Sequence, residues 1–171
     1  IEGACELQGG RLLSWSRDKT LRLWDGASKK CVAVLAGHTN RIEGVCKLAG
    51  GQLLSWSQDK ALRLWDGVTG LAIAVLTGHR DRIKGVLELR GNRLLSWSKD
   101  KTLQLWNSSS GAFLKKLVGH TRGVLGAKAL EDGRILSWSE DGTLRLWDGI
   151  TGHCLAVLEG IRECSPLTGA F

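Results

Sequence analysis

The 171-residue chain has no methionine and no tyrosine, only two phenylalanines and a single proline. No apolar run approaches the ~18 residues that cross a bilayer, and no charged-then-apolar leader opens it. The missing methionine, with Ile1 at the start, points to a processed or excised segment of something longer. The shortage of tyrosine and phenylalanine leaves few aromatics for stacking on bases. There is no Cys-x-x-Cys pair, no ligand cluster of metal-site spacing and no glycine-rich phosphate loop. No stretch keeps a 3.6-residue apolar period long enough for a helix. These absences argue against a metal centre, a nucleotide-dependent enzyme and a helical bundle, and no cofactor is expected.

The hydrophobic fraction of 43% suffices for a core, and the formal charge of +7 favours acidic partners. The cysteines number five, an odd count. Cys5 and Cys46 fall at one phase of the chain, Cys31 and Cys154 at another, and Cys164 stands apart. They read as small apolar core residues in a reducing compartment, which predicts a cytoplasmic location.

What the chain has in abundance is repetition. Trp15, Trp56, Trp97 and Trp138 lie 41 residues apart, each in the string Leu-Ser-Trp-Ser. Trp24, Trp65, Trp106 and Trp147 keep the same step, as do Asp18, Asp59, Asp100 and Asp141. A strict period of this size marks an array of supersecondary units that bury their cores against one another. The units run 1–41, 42–82, 83–123 and 124–164, with 165–171 as a tail. Within residues 42–82, four short runs stand between turn signals: Ile42 to Leu48, Gln52 to Ser57, Ala61 to Trp65 and Ile73 to Leu76. This spacing predicts four antiparallel strands. The third run alternates Leu62, Arg63 and Leu64, the pattern of a half-buried strand. Gly3, Gly44, Gly85 and Gly126 sit inside the first strand, where glycine is costly unless something approaches closely. A crowded inner strand near a symmetry axis is the expected reason.

Gly78-His79, Ser96-Trp97-Ser98-Lys99-Asp100 and Leu105-Trp106, recurring at one period, resemble the WD-repeat β-propeller family over residues 1–164. Asp25, Asp66 and Asp148 follow the third-strand tryptophan, and Asn107 replaces them in the third unit. The resemblance implies an all-β fold of four-stranded antiparallel blades set radially, four per chain. It also implies a buried network joining His38, Ser55, Asp59 and Trp65, with equivalents His79, Ser96, Asp100, Trp106 and His120, Ser137, Asp141, Trp147. Ser57 is the alternative to Ser55, which is favoured. Ser14, Asp18 and Trp24 lack an upstream histidine, and Ile161 stands where a further one would fall. Residues 167–171 resemble residues 1–5, which leaves open a partial first strand in the tail.

A repeated His-Ser-Asp set invites a hydrolase reading, but a catalytic triad is a single site with an exposed nucleophile. Repetition with a tryptophan fits a structural role, so no catalytic residue and no enzyme activity are expected. His153 lies outside the pattern and reads as a surface residue. An open row of four blades exposes apolar faces at both ends. Two chains joined head to tail about a two-fold axis give an eight-bladed ring without open faces. A closed four-bladed monomer and a fragment of a larger propeller are the alternatives. The expected function is a protein- or peptide-interaction scaffold whose variable loops bind on a fixed frame. One loop face carries Arg17, Arg41, Gln58, Arg82, Lys99, Arg122 and Glu140, which favours an acidic partner. Nucleic-acid or polyanion binding is the second reading, and a purely structural segment the third.

Overall fold

A computed structural model describes residues 1–159. Sixteen strands form four antiparallel sheets, each lying within one 41-residue unit. The sheets are β1–β4 (Gly3–Glu6, Arg11–Trp15, Leu21–Asp25, Lys30–Leu35) and β5–β8 (Ile42–Lys47, Leu53–Ser57, Ala61–Trp65, Ala72–Thr77). They are followed by β9–β12 (Ile83–Leu89, Arg93–Ser98, Thr102–Asn107, Phe113–Val118) and β13–β16 (Val124–Ala129, Ile135–Ser139, Thr143–Trp147, Cys154–Glu159). Strands pair in chain order within each sheet. The Ile73 to Leu76 run proves two residues longer, extending back to Ala72 and on to Thr77.

Sheets stack face against face in chain order, β2 meeting β5, β6 meeting β9 and β10 meeting β13. Each sheet has a trailing face toward its successor and a leading face toward its predecessor. At the first joint, Leu13, Leu21, Leu23 and Leu35 meet Ile42, Leu53 and Trp65. At the second, Leu54, Leu62, Leu64 and Leu76 meet Ile83, Leu94 and Trp106. At the third, Leu95, Leu103, Leu105 and Leu117 meet Val124, Ile135 and Trp147. One recipe therefore builds all three joints, which explains the unbroken period.

The third strand is not half-buried in the two middle sheets. β7 and β11 are covered on both faces, because leucines point to the next sheet while Trp65 and Trp106 point to the previous one. Only β3, in the first sheet, shows the half-buried pattern that the alternation implies, whereas the leucines of β15 are exposed or half-buried. The cysteines also differ from expectation. Cys31 and Cys154 are exposed on the fourth strands rather than in the core. Cys5 and Cys46 are half-buried beside the joints, where burial pushes their thiols up. Cys164 and the tail lie outside the described residues.

The first-strand glycines have a local cause rather than an axial one. The indole of the Leu-Ser-Trp-Ser tryptophan lies flat over the neighbouring strand, in the space a β-carbon would fill. A methyl group placed on Gly44 would stand 2.2 Å from Trp56, and one on Gly85 2.3 Å from Trp97. Such overlap forces the ring or the strand to move. Gly85→Ala should therefore lower stability by about 1–3 kcal/mol in thermal or urea unfolding. Paired with Trp97→Ala, it should cost clearly less than the two single losses added, since the clash is then gone. Strict additivity would disprove the contact as the cause.

Candidate functional site

Two sets of polar residues repeat around the array, one buried and one at the rim. The buried set starts at the turn between the second and third strands. Asp59 caps this turn, accepting the Ala61 N–H at 3.0 Å while Lys60 takes a positive φ of 70°. Its other carboxylate oxygen meets His38 Nδ1 at 2.8 Å and accepts the Thr39 N–H at 2.9 Å. His38 Nε2 lies 2.8 Å from Ser55 Oγ, which also accepts the Trp65 indole N–H at 2.9 Å. Ser57 instead bonds the Asn40 carbonyl and the Asp59 N–H. The same geometry joins His79, Ser96, Asp100 and Trp106, and again His120, Ser137, Asp141 and Trp147.

Ser55, Ser96 and Ser137 are fully buried, each saturated by histidine and tryptophan. No substrate carbonyl could reach such a hydroxyl, so the arrangement is a strut between loop and strand. Burial is the largest influence on Asp59 and by itself raises its pKa. Hydrogen bonds from His38 and from the Thr39 and Ala61 amides outweigh it and hold the carboxyl at about 2. Asp100 and Asp141 are held below the usual carboxylate range in the same way. Burial pulls the His120 imidazole below its ordinary value, against the pull of Asp141.

The first sheet keeps half of this set. Trp24 donates to Ser14 at 2.9 Å, and Asp18 turns to the Thr20 hydroxyl and N–H. A cavity of about 280 Å³, lined by Ile1, Ser14, Asp18, Thr20 and Trp24 among others, opens where the other sheets hold an imidazole. Ile161, the residue in phase with the histidines, lies outside the described residues. His153 is exposed just before β16.

The rim brings the loop before each first strand beside the turn after each second strand. The Gln58 N–H bonds the Arg41 carbonyl at 3.0 Å, the Lys99 N–H bonds that of Arg82 at 2.9 Å, and the Glu140 N–H bonds that of Gly123 at 2.9 Å. Arg122 is exposed beside Gly123. Register shifts interrupt the strand pairs at Ile42/Gly44, Trp97/Ser98 and Val124/Gly126. These bulges turn Glu43, Lys84 and Leu125 toward the rim.

Loop composition alone misses what Glu2 and Glu43 do. Glu2 accepts a hydrogen bond from Arg17 and another from Arg41, at 2.7 Å, and the Arg17 guanidinium lowers its pKa. Glu43 accepts from Gln58 at 2.9 Å and from Arg82 at 2.7 Å. Four of the seven rim residues are thus already engaged within the chain. The third unit breaks the pattern, with Lys84 in place of glutamate, Lys99 beside it in phase and Gly123 where the arginine would be. Among the described residues, no carboxylate is paired with Lys84, Lys99 or Arg122. The signal was present in the sequence: Glu2, Arg17, Arg41 and Glu43, Gln58, Arg82 share one spacing.

Known proteins agree with this construction. The profile described as WD domain, G-beta repeat matches residues 29–66 and 111–148. Each match runs from the fourth strand of one sheet through the third strand of the next and contains one complete histidine network. The structure is similar to the WD40 beta propeller domain of Doa1, with a TM-score of 0.68 and 26% identity over 91% of this chain and 52% of that one. The chain spans about half the length of that solved chain. No curated protein matches it at a significant level. Two of the repeats match the WD-repeat family, and the four sheets are built as blades of a WD40 propeller. Propellers of this family generally serve as scaffolds for protein interaction. Among the described residues, no helix is long and apolar enough to cross a membrane.

Two outcomes follow for the networks. Ser96→Ala strands two buried groups and should cost about 2–4 kcal/mol in urea unfolding, whereas Ser14→Ala, beside an open cavity, should cost about 1 kcal/mol. Acid should act in two stages. The unfolded chain takes up a proton at His120 before the folded chain does, so stability falls as pH drops below about 6.5. It falls further between about pH 4 and 2, as Asp59 and its equivalents are forced to protonate. Melting temperatures across pH would check this, and Asp59→Asn should shrink the lower stage.

Proposed function

We propose that the chain is a non-enzymatic scaffold that takes an acidic protein or peptide on the rim over its third and fourth blades. The observation that carries this reading is the exchange of a glutamate clamp for lysine. At the first two joints Glu2 and Glu43 neutralise the rim arginines. At the third, Lys84 and Lys99 occupy the positions of a carboxylate and its donor, and both are exposed. Neighbouring cations that no carboxylate pairs attract an anion and repel other cations, so charge there selects the partner, with Glu140 beside Gly123 offsetting part of it. Arg17, Arg41 and Arg82 contribute shape, since their charges are already satisfied.

Base stacking has less to support it. Trp138 and Phe113 are the exposed tryptophan and phenylalanine among the described residues, and both lie on strands rather than on the rim loops. Fluorescence anisotropy with a labelled poly-glutamate peptide tests the proposal. Lys84→Glu with Lys99→Glu should weaken binding about tenfold or more, and Arg17→Gln less than about twofold. Equal losses in the two variants would refute the assignment to this half of the rim. Tighter binding to a single-stranded oligonucleotide, with a steep salt slope, would favour the nucleic-acid reading instead.

A further inference from the structure

The three joints define which residues must face each other, and the same molecule carries both halves of a fourth joint, uncovered. On the trailing face of blade 4, Leu136, Leu144, Leu146 and Leu158 stand in phase with the leucines of the other joints. Leu144 is 38% exposed and Leu158 51%, where Leu62 and Leu76 are at most 1% exposed. Trp138 is 39% exposed on the same face, while its equivalents Trp56 and Trp97 pack against the joints. On the leading face of blade 1, Ile1, Leu12 and Trp24 stand in phase with Ile42, Leu53 and Trp65. Ile1 is 89% and Leu12 45% exposed, against 0% and 2% for Ile42 and Leu53.

We propose that these two faces bind each other between two copies of this chain. The trailing face of each copy covers the leading face of the other, and the pair closes into one eight-bladed ring. Three further observations select this occupant. The faces lie at opposite ends of one row, and among the described residues neither belongs to a joint. The four blades cover about half of a solved propeller-domain chain, and a second copy supplies a comparable half. Finally, Arg11 donates to the Val68 carbonyl in the next blade at 2.7 Å, and Arg93 donates likewise to Gly149. Arg134 holds the same position in blade 4, but turns back on Asp132 at 2.6 Å. In the ring it meets the β3–β4 turn of the second copy, near Ala27. Lys128 replaces the Cys5, Cys46 and Leu87 of the other trailing faces, so this joint has a polar edge.

Because the two faces differ, the contact is head to tail, and two identical contacts close the ring with no surface left for growth. The blades of one copy can still fold on their own joints, which makes the interface separable from the fold.

Sedimentation equilibrium of the 171-residue chain at micromolar concentration tests this. The expected mass is twice 18.6 kDa, without larger species. Leu12→Glu and Leu144→Glu should each give folded monomer, with unchanged far-ultraviolet dichroism. An equal mixture of the two variants should recover dimer, because one wild-type pair of faces remains, at reduced affinity. Val34→Glu, on an outer strand, should leave the mass unchanged. A wild-type monomer would overturn the proposal, as would growth beyond the dimer. So would dissociation by only one of the two glutamate variants, which means a face pairing with itself, or a mixture that stays monomeric.

Discussion

A four-stranded sheet with leucine on one face and tryptophan on the other has no stable existence alone. Its apolar surfaces must be covered, and in this chain the cover is always the neighbouring sheet. Each joint buries four leucines of one blade against an aliphatic pair and a tryptophan of the next. A buried leucine contributes about 1.5–3 kcal/mol by removal from water, while a net hydrogen bond contributes about 1 kcal/mol. The leucine faces therefore supply most of the cohesion, and the histidine networks add less.

What the networks add is position. His38 belongs by sequence to the end of one unit but bonds Ser55 and Asp59 of the next. It fixes the loop that enters each inner strand, and with it the rim. The rim is then free to vary, because the backbone that carries it is held by the frame beneath. At two joints variation has produced a closed ionic clamp, and at the third a pair of lysines. The same logic links the ends of the row: among the described residues, blade 1 has no imidazole in its socket and blade 4 no cover for its leucines.

The architecture was legible because one physical need repeats. The period, the alternation in Leu62-Arg63-Leu64 and the turn residues at Asp59-Lys60 all express the same stacked sheet. Four things were not legible. Burial of β7 on both faces comes from neighbours on either side, and alternation within one strand cannot report them. The reason for Gly44 lies in the Trp56 ring across the strand pair, a contact visible only in register. The rim charges were countable in sequence, but their neutralisation depends on the backbone at the start of each first strand, which aims Glu2 and Glu43 at particular arginines. Cys31 and Cys154 are a further case, since their places near the start of the fourth strands are exposed while Ala33 and Leu35 on the same strand pack against the joint.

If neighbouring faces hold the row, damage to one joint must be felt by the two blades that share it and by no other. Amide hydrogen exchange, resolved blade by blade in Leu62→Ala, measures this directly. Faster exchange in β5–β8 and β9–β12, with β13–β16 unchanged, is the predicted result. A change confined to β5–β8 would contradict the account, for it would mean that each blade is stable on its own.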